Sequence, residues 1–332
     1  MNTWNRLFKQ AITSRQLVGR MAFHGLLNGI TRLPFVLPDR VNGQENVEKI
    51  SNVPYMNTGE RAHLLDIFRP LDAEAPTPTM LYVHGGAFSA LSKDTHWMIA
   101  HAFARRGFTV FNINYRLAPK HPYPAALEDV ISAALWIHDH ASHYGADPEQ
   151  LVPAGESAGA NLVTALAVAN SYQMEEPFSQ VLWDSPLCLS AVIAACGILQ
   201  TSDSERFQRR YPELSWWVAD RIHDATQTYL GHAPGRQPRP SLCDPLLVLE
   251  EGNPPERDLP PFFACAGTRD PLISDSKRLK TALDRLDVSC DLKLYPGEIH
   301  AFHAMIWREQ AKQCWKDQFH FLNRHLGFSR DD

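Results

Sequence analysis

The sequence predicts an α/β fold, a mostly parallel central sheet flanked by helices. Two observations carry this. From about residue 62 short apolar runs alternate with longer stretches of helical spacing, the order that sets parallel strands side by side with helices crossing between them. The 332 residues are 44% hydrophobic and 21% charged, which gives one domain enough apolar material for a large core. No internal repeat and no low-complexity tract interrupts the alternation.

The elements follow in order. Residues 1–38 hold Arg6, Lys9, Arg15, Arg20 and Arg32 and no acid, with Trp4, Leu7, Phe8, Ile12, Leu17, Val18, Phe23, Leu26 and Leu27 at roughly helical spacing. The segment reads as a helical lid or packing segment; weak surface association with a membrane is the competing reading. The runs Leu64–Phe68, Met80–Val83, Thr109–Asn114, Leu151–Ala154, Leu189–Ala195, Phe262–Ala266 and Leu292–Tyr295 read as strands. Between them Trp97–Arg106, Ala125–His143, Ala158–Asn170, Ser276–Leu286 and His303–Leu326 read as helices. Residues 200–249 break the alternation. They carry Tyr211, Trp216, Trp217 and Tyr229, then Pro234, Pro238, Pro240 and Pro245. With the N-terminal segment they suggest a helical cap over the carboxyl edge of the sheet, built from residues 1–45 and 200–249 of a single domain spanning 1–332.

Charge and cysteines narrow the class. The net charge of −5 does not suggest a nucleic-acid partner. The longest apolar run, Leu187 to Leu199, is too short to span a bilayer as a helix, and no secretory leader is apparent. Cys188, Cys196, Cys243, Cys265, Cys290 and Cys314 form no C-x-x-C pair. They read as buried thiols of a reducing, cytoplasmic compartment rather than a disulfide framework or zinc site.

Four stretches carry chemistry, each after a strand, where loops of such sheets bear their sites. Gly155-Glu156-Ser157-Ala158-Gly159 lies between an apolar strand and a helix, the setting of a nucleophile on a strained turn. The glycines remove side chains that would collide across the turn, and the helix end behind Ser157 brings N–H groups and positive dipole. His84-Gly85-Gly86-Ala87-Phe88 follows a strand. Acyl transfer needs preset N–H donors for the developing oxyanion; Gly86, Ala87 and Ala158 are the candidate donors, with Gly85 supporting the turn. Asp270, in Gly267-Thr268-Arg269-Asp270-Pro271, is placed to accept a histidine ring N–H; Asp275 is the alternative acid, and an Asp-Pro turn the plain reading. His300 follows the last strand and is the candidate general base, with His303 competing. The chain order Ser, Asp, His is that of one known arrangement of such triads.

At these residues, and most distinctively in the stretch from Asn114 through Tyr115, Arg116, Pro119, Tyr123 and Pro124 to Asp129, the chain resembles the hormone-sensitive-lipase-like branch of the α/β-hydrolases, which includes many bacterial carboxylesterases. The resemblance runs from about Leu64 to the C-terminus. It implies an α/β-hydrolase fold, a catalytic triad of Ser157, His300 and Asp270, an oxyanion hole, and structural roles for Tyr115, Arg116 and Asp129. The sequence departs from the family at Ala87, where a third glycine is usual, at Glu156 for Asp, at Ala160 for Gly, and at Ser274 for an acidic residue. The triad residues point to a serine esterase working through an acyl-enzyme with no metal or cofactor, and a cap rich in Trp and Tyr to short- to medium-chain acyl esters; the resemblance makes a homodimer through an edge strand an option. Phe88, Trp216 and Trp217 are the expected pocket-lining residues. An amide or formamide hydrolase with the same triad and a non-catalytic small-molecule-binding homologue remain as alternatives, together with a membrane-surface protein driven by the basic N-terminus.

Overall fold

The computed structural model describes residues 46–73, 76–231 and 241–327. The N-terminal cap and surface-helix readings, and Pro234, Pro238 and Pro240, lie outside them. Eight strands form one sheet: β1 (Val47–Pro54), β2 (Leu64–Pro70), β3 (Thr77–Val83), β4 (Thr109–Ile113), β5 (Ala146–Glu156), β6 (Val192–Ala195), β7 (Phe262–Gly267) and β8 (Cys290–Tyr295). Their spatial order is β1-β2-β4-β3-β5-β6-β7-β8. The first two strands run antiparallel to their neighbours and the remaining pairings are parallel. The predicted fold class is therefore the observed one, and each predicted strand is found. β1 is an addition.

The helices are α1 (Trp97–Arg105), α2 (Ala125–His140), α3 (Ala158–Ser171), α4 (Gln180–Trp183), α5 (Arg206–Arg210), α6 (Trp216–Leu230), α7 (Pro245–Glu250), α8 (Ile273–Arg285) and α9 (Glu309–Leu326). Strand residues alternate between two cores, as the two-residue period of a strand requires. On β3, Leu81 and Val83 join the core shared with α2, α3 and α8, whereas Met80 and Tyr82 join the core shared with α1 and α9. With helices on both faces, the central strands read as near-continuous apolar runs.

Predicted boundaries move by a few residues, most at the last helix. The helix expected from His303 begins at Glu309, because Ala301 is left-handed (φ 55°) and a 3-10 turn at Phe302–Ala304 ends with Met305 outside helical geometry. The segment between β6 and β7 holds α5, α6 and α7. Among the described residues no helix is long and apolar enough to cross a membrane. The six cysteines are unbridged, and five of them are buried.

Candidate active site

Four adjacent parallel strands deliver their carboxyl ends to one edge. Ser157 follows β5, Cys196 follows β6, Asp270 lies in the loop after β7 and His300 in the loop after β8. The register sets Glu156 beside Ala195 and Ala195 beside Cys265, so these loops start at one level.

Ser157 sits at φ 54°, ψ −113°, a positive-φ strain at the first residue before α3. The flanking glycines are required by contact. A Cβ on Gly155 would lie 2.6 Å from the carbonyl oxygen of Gly159, and one on Gly159 would lie 2.0 Å from that of Val83. The helix thus packs against the end of β3 with nothing between. Ser157 N–H donates to the Ala195 carbonyl (2.9 Å), and Ser157 is partly exposed.

Asp270 is buried. Its Oδ1 accepts the Leu272 N–H at 2.8 Å, and its Oδ2 accepts from His300 Nδ1 at 2.9 Å. Since the carboxylate accepts, the proton of the neutral ring rests on Nδ1, and in that form the Nε2 lone pair is available to take a proton. Burial opposes the charged imidazolium, but Asp270 and the neighbouring Cys196 outweigh it and hold the His300 pKa well above its usual value. The two loops are stitched together: Arg269 N–H donates to the Glu298 carbonyl (2.9 Å), and Gly297 N–H to Thr268 Oγ1 (2.8 Å). Gly267 allows this approach, since a Cβ there would lie 2.1 Å from the Glu298 carbonyl oxygen.

The alternative acid and base are engaged elsewhere. Asp275 accepts the Leu199 N–H (3.0 Å) and pairs with Arg206, tying the chain after β6 to the start of α8. His303 turns inward and faces Glu156 (3.7 Å).

The loop after β3 is held at several points. His84 stacks on Tyr115 (4.3 Å between centroids) and on His96 (5.5 Å), and Tyr115 Oη donates to the His84 carbonyl (2.9 Å). Burial and the positive charge of His96 lower the His84 pKa to about 3, so its ring is neutral. Gly85 N–H donates to Glu156 Oε1 (3.0 Å), so Gly85 serves the turn rather than an incoming anion. Gly86 (φ 112°) and Ala87 (φ 55°) both have positive φ. The N–H groups of Gly86, Ala87 and Ala158 have no hydrogen-bond partner among the described residues. N–H groups in a protein interior are rarely left unpaired; Ala158 directly follows Ser157, and Gly86 and Ala87 directly follow Gly85, whose N–H binds Glu156.

The three residues expected to line a pocket differ in burial. Phe88 is fully buried and stacks face to face on Tyr229 of α6 (3.7 Å, 11°). Trp216 and Trp217, in the first turn of α6, are 61% and 40% exposed, unlike side chains enclosed in a pocket. Asp129 binds Arg116 Nε at 2.9 Å and faces His63 at 3.2 Å, bracing the distinctive stretch that carries Arg116 and Asp129.

Sequence reasoning passed over Cys196, Glu156 and His96 as parts of the site. Sγ of Cys196, a carboxylate oxygen of Asp270 and a ring nitrogen of His300 lie within 4.8 Å of one another, the only such group with metal-ligand spacing among the described residues. Burial raises the Cys196 pKa, against the influence of His300. Its position directly after a strand at the reactive edge was the available signal.

The fold has counterparts among known proteins. A family profile described as alpha/beta hydrolase fold matches residues 80–304. The chain is 32% identical to an acetyl esterase of Salmonella typhi over 247 residues, covering 71% of this chain and 69% of that protein. Esterase B from Lactobacillus rhamnosis superposes with a TM-score of 0.77 at 18% identity, covering 95% of this chain and 96% of the other. A bacterial heroin esterase gives 0.72 at 20% identity, covering 92% and 90%. The chain belongs to the α/β-hydrolase-fold family, in its hormone-sensitive-lipase-like branch.

Proposed function

We propose that the protein is a carboxylesterase with Ser157 as nucleophile, His300 as general base and Asp270 as the group that orients the base. The observation that carries this reading is the Asp270–His300 hydrogen bond of 2.9 Å on the edge that also bears the strained Ser157. The 32% identity to an acetyl esterase supports ester cleavage.

In the first step His300 Nε2 takes the Ser157 proton as Oγ bonds to the ester carbonyl carbon. The carbonyl π electrons move to oxygen, and that oxyanion is received by the N–H groups of Gly86, Ala87 and Ala158. Collapse expels the alkoxide, which takes the proton from His300 and leaves an acyl-Ser157. Water then attacks with His300 again as base, and the acid departs with Ser157 restored.

Short acyl chains are the proposed substrates, in line with the acetyl esterase relatives. We read α5, α6 and α7 as cap elements of a single domain. The stack of Phe88 on Tyr229 supports this, because it couples α6 to the loop after β3. An edge-strand homodimer rests on family resemblance alone; β1 and β8 are the two strands that end the sheet. The buried free thiols support a reducing, cytoplasmic location.

The test is hydrolysis of p-nitrophenyl esters from acetate to palmitate by wild type and Ser157→Ala. Turnover highest on acetate to hexanoate and lost in the variant is expected. Retained turnover in Ser157→Ala would remove the serine from its role. Turnover of amides alone would redirect the reading to amide hydrolysis.

A further inference from the structure

Beside the nucleophile lies a buried carboxylate that the reaction as written does not use. Four groups from four segments converge on Glu156. Tyr82 Oη, from β3, donates to Oε2. Gly85 N–H, from the loop after β3, donates to Oε1 at 3.0 Å. His96 Nε2, from the residue before α1, lies 2.6 Å from Oε1. His303 Nε2, three residues beyond His300, lies 3.7 Å from Oε2. Gly85 sits so close that a Cβ there would lie 2.9 Å from the Glu156 carbonyl oxygen and 3.0 Å from Oε1.

Burial on this scale disfavours a charge unless partners repay it. Burial acts to raise the Glu156 pKa, but His96 and His303 outweigh it and hold it well below the usual carboxylate range. His96 is raised in turn, because Glu156 outweighs its burial. The site is thus an ion pair with further donors around it. Two of these partners belong to the catalytic loops. Gly85 lies in the turn that precedes the Gly86 and Ala87 donors, and His303 in the segment that follows the base.

We propose that Glu156 is a positioning residue for catalysis: through Gly85 it sets the oxyanion loop, and through His303 it sets the His300 loop, both relative to Ser157 next to it in the chain. This rests on the esterase reading above. Oxyanion donors act through fixed placement at the developing charge, and displacements near 1 Å are costly in rate. Loss of the hub therefore falls on the transition state more than on the bound ester.

A buried ion pair that served stability alone would make different predictions, and the experiment separates the two. Wild type, Glu156→Gln, Glu156→Asp, His303→Leu and Ser157→Ala are compared on p-nitrophenyl acetate. Active sites are titrated with a p-nitrophenyl phosphonate, and inhibition by a trifluoromethyl ketone, whose serine adduct carries an oxyanion, is measured. Glu156→Gln is expected to lower kcat per titrated site by at least about 10-fold with KM within about 3-fold. The ketone inhibition constant should rise in step with the loss in kcat. Glu156→Asp, which keeps the charge, should recover part of the rate. His303→Leu, which leaves Gly85 and His96 on the carboxylate, should lower kcat by about 3- to 10-fold.

Unchanged kcat per titrated site in Glu156→Gln would overturn the proposal, whatever happens to the melting temperature. So would a loss of kcat with ketone affinity intact. If Glu156→Gln yields no folded protein, His303→Leu and Tyr82→Phe decide, since each removes one partner and keeps the charge; full activity in both would overturn it. Ester turnover absent in wild type, or equal in Ser157→Ala, would instead defeat the esterase reading itself.

Discussion

His300 is held in one orientation by Asp270 and its pKa is raised above the ordinary value, with burial outweighed by the acid and Cys196. A base must be unprotonated to accept the Ser157 proton. Activity is therefore lost as pH falls through a pKa above about 6.5, the unperturbed histidine value, and the acid limb of the kcat/KM profile should lie on the alkaline side of it. Asp270→Asn should lower kcat by about 10³- to 10⁴-fold and move any residual limb to lower pH. A limb at or below the unperturbed value in wild type would contradict the assignment. Ala87 gives a second expectation. At φ 55° an L-residue pays about 1–2 kcal/mol, while glycine forfeits about 0.5–1 kcal/mol through the unfolded chain. Ala87→Gly should therefore raise the urea midpoint slightly and keep activity within a few-fold. The pairing of Asp270 with His300 was legible because each follows a strand in a short loop. The Glu156 cluster was not, because His96, Tyr82 and His303 meet it only through sheet packing across sequence separations of 60 to 147 residues.

The elements meet most tightly where α3 leaves β5. A methyl on Gly159 would sit 2.0 Å from the Val83 carbonyl oxygen and 2.8 Å from that of His84. Alanine improves helix propensity by about 1 kcal/mol, but overpacking costs about 1–3 kcal/mol or more. The obstacle here is backbone, so the steric cost wins. Gly159→Ala should lower the melting temperature and reduce kcat by displacing Ser157 and the Ala158 N–H from the loop after β3; a variant as stable and active as wild type would show that this packing is looser than described. Strands were legible where burial on both faces makes them continuously apolar, as in Met80–Val83 of β3 and in β7. β1 escaped because it is an edge strand without a fully buried residue, carrying Glu48, Lys49, Ser51 and Asn52. Similarly β5 begins at Ala146, before the apolar run, and passes through Asp147, Pro148, Glu149 and Gln150.

Across the whole molecule, buried ion pairs hold the sheet to its loops. Asp66 of β2 receives Lys93 Nζ (2.7 Å), the Asn52 N–H (2.9 Å) and Lys49 Nζ (2.9 Å). Burial acts to raise its pKa, but these partners outweigh it and the pKa is lowered. A carboxylate with a depressed folded pKa stabilises the fold above its unfolded value of about 3.9 and loses that contribution as pH falls through the folded pKa. Unfolding free energy in urea should thus fall as pH drops below about 4. The fall should be shallower in Asp66→Asn/Lys93→Met, which removes the pair without leaving a lone buried lysine. An equal slope in both proteins would exclude Asp66 as a source of acid lability. At this scale the α/β class was legible from alternation alone, whereas the antiparallel entry β1-β2-β4 was not, since no local pattern records which strand a neighbour will be.

The most direct test of the central claim is covalent. The protein is treated with a p-nitrophenyl phosphonate, and its intact mass and peptide map are read. One adduct per chain, on the peptide bearing Ser157 and absent in Ser157→Ala, with release of one equivalent of p-nitrophenol, is the predicted result. No adduct on folded protein, or an adduct on another residue such as Cys196, would contradict it.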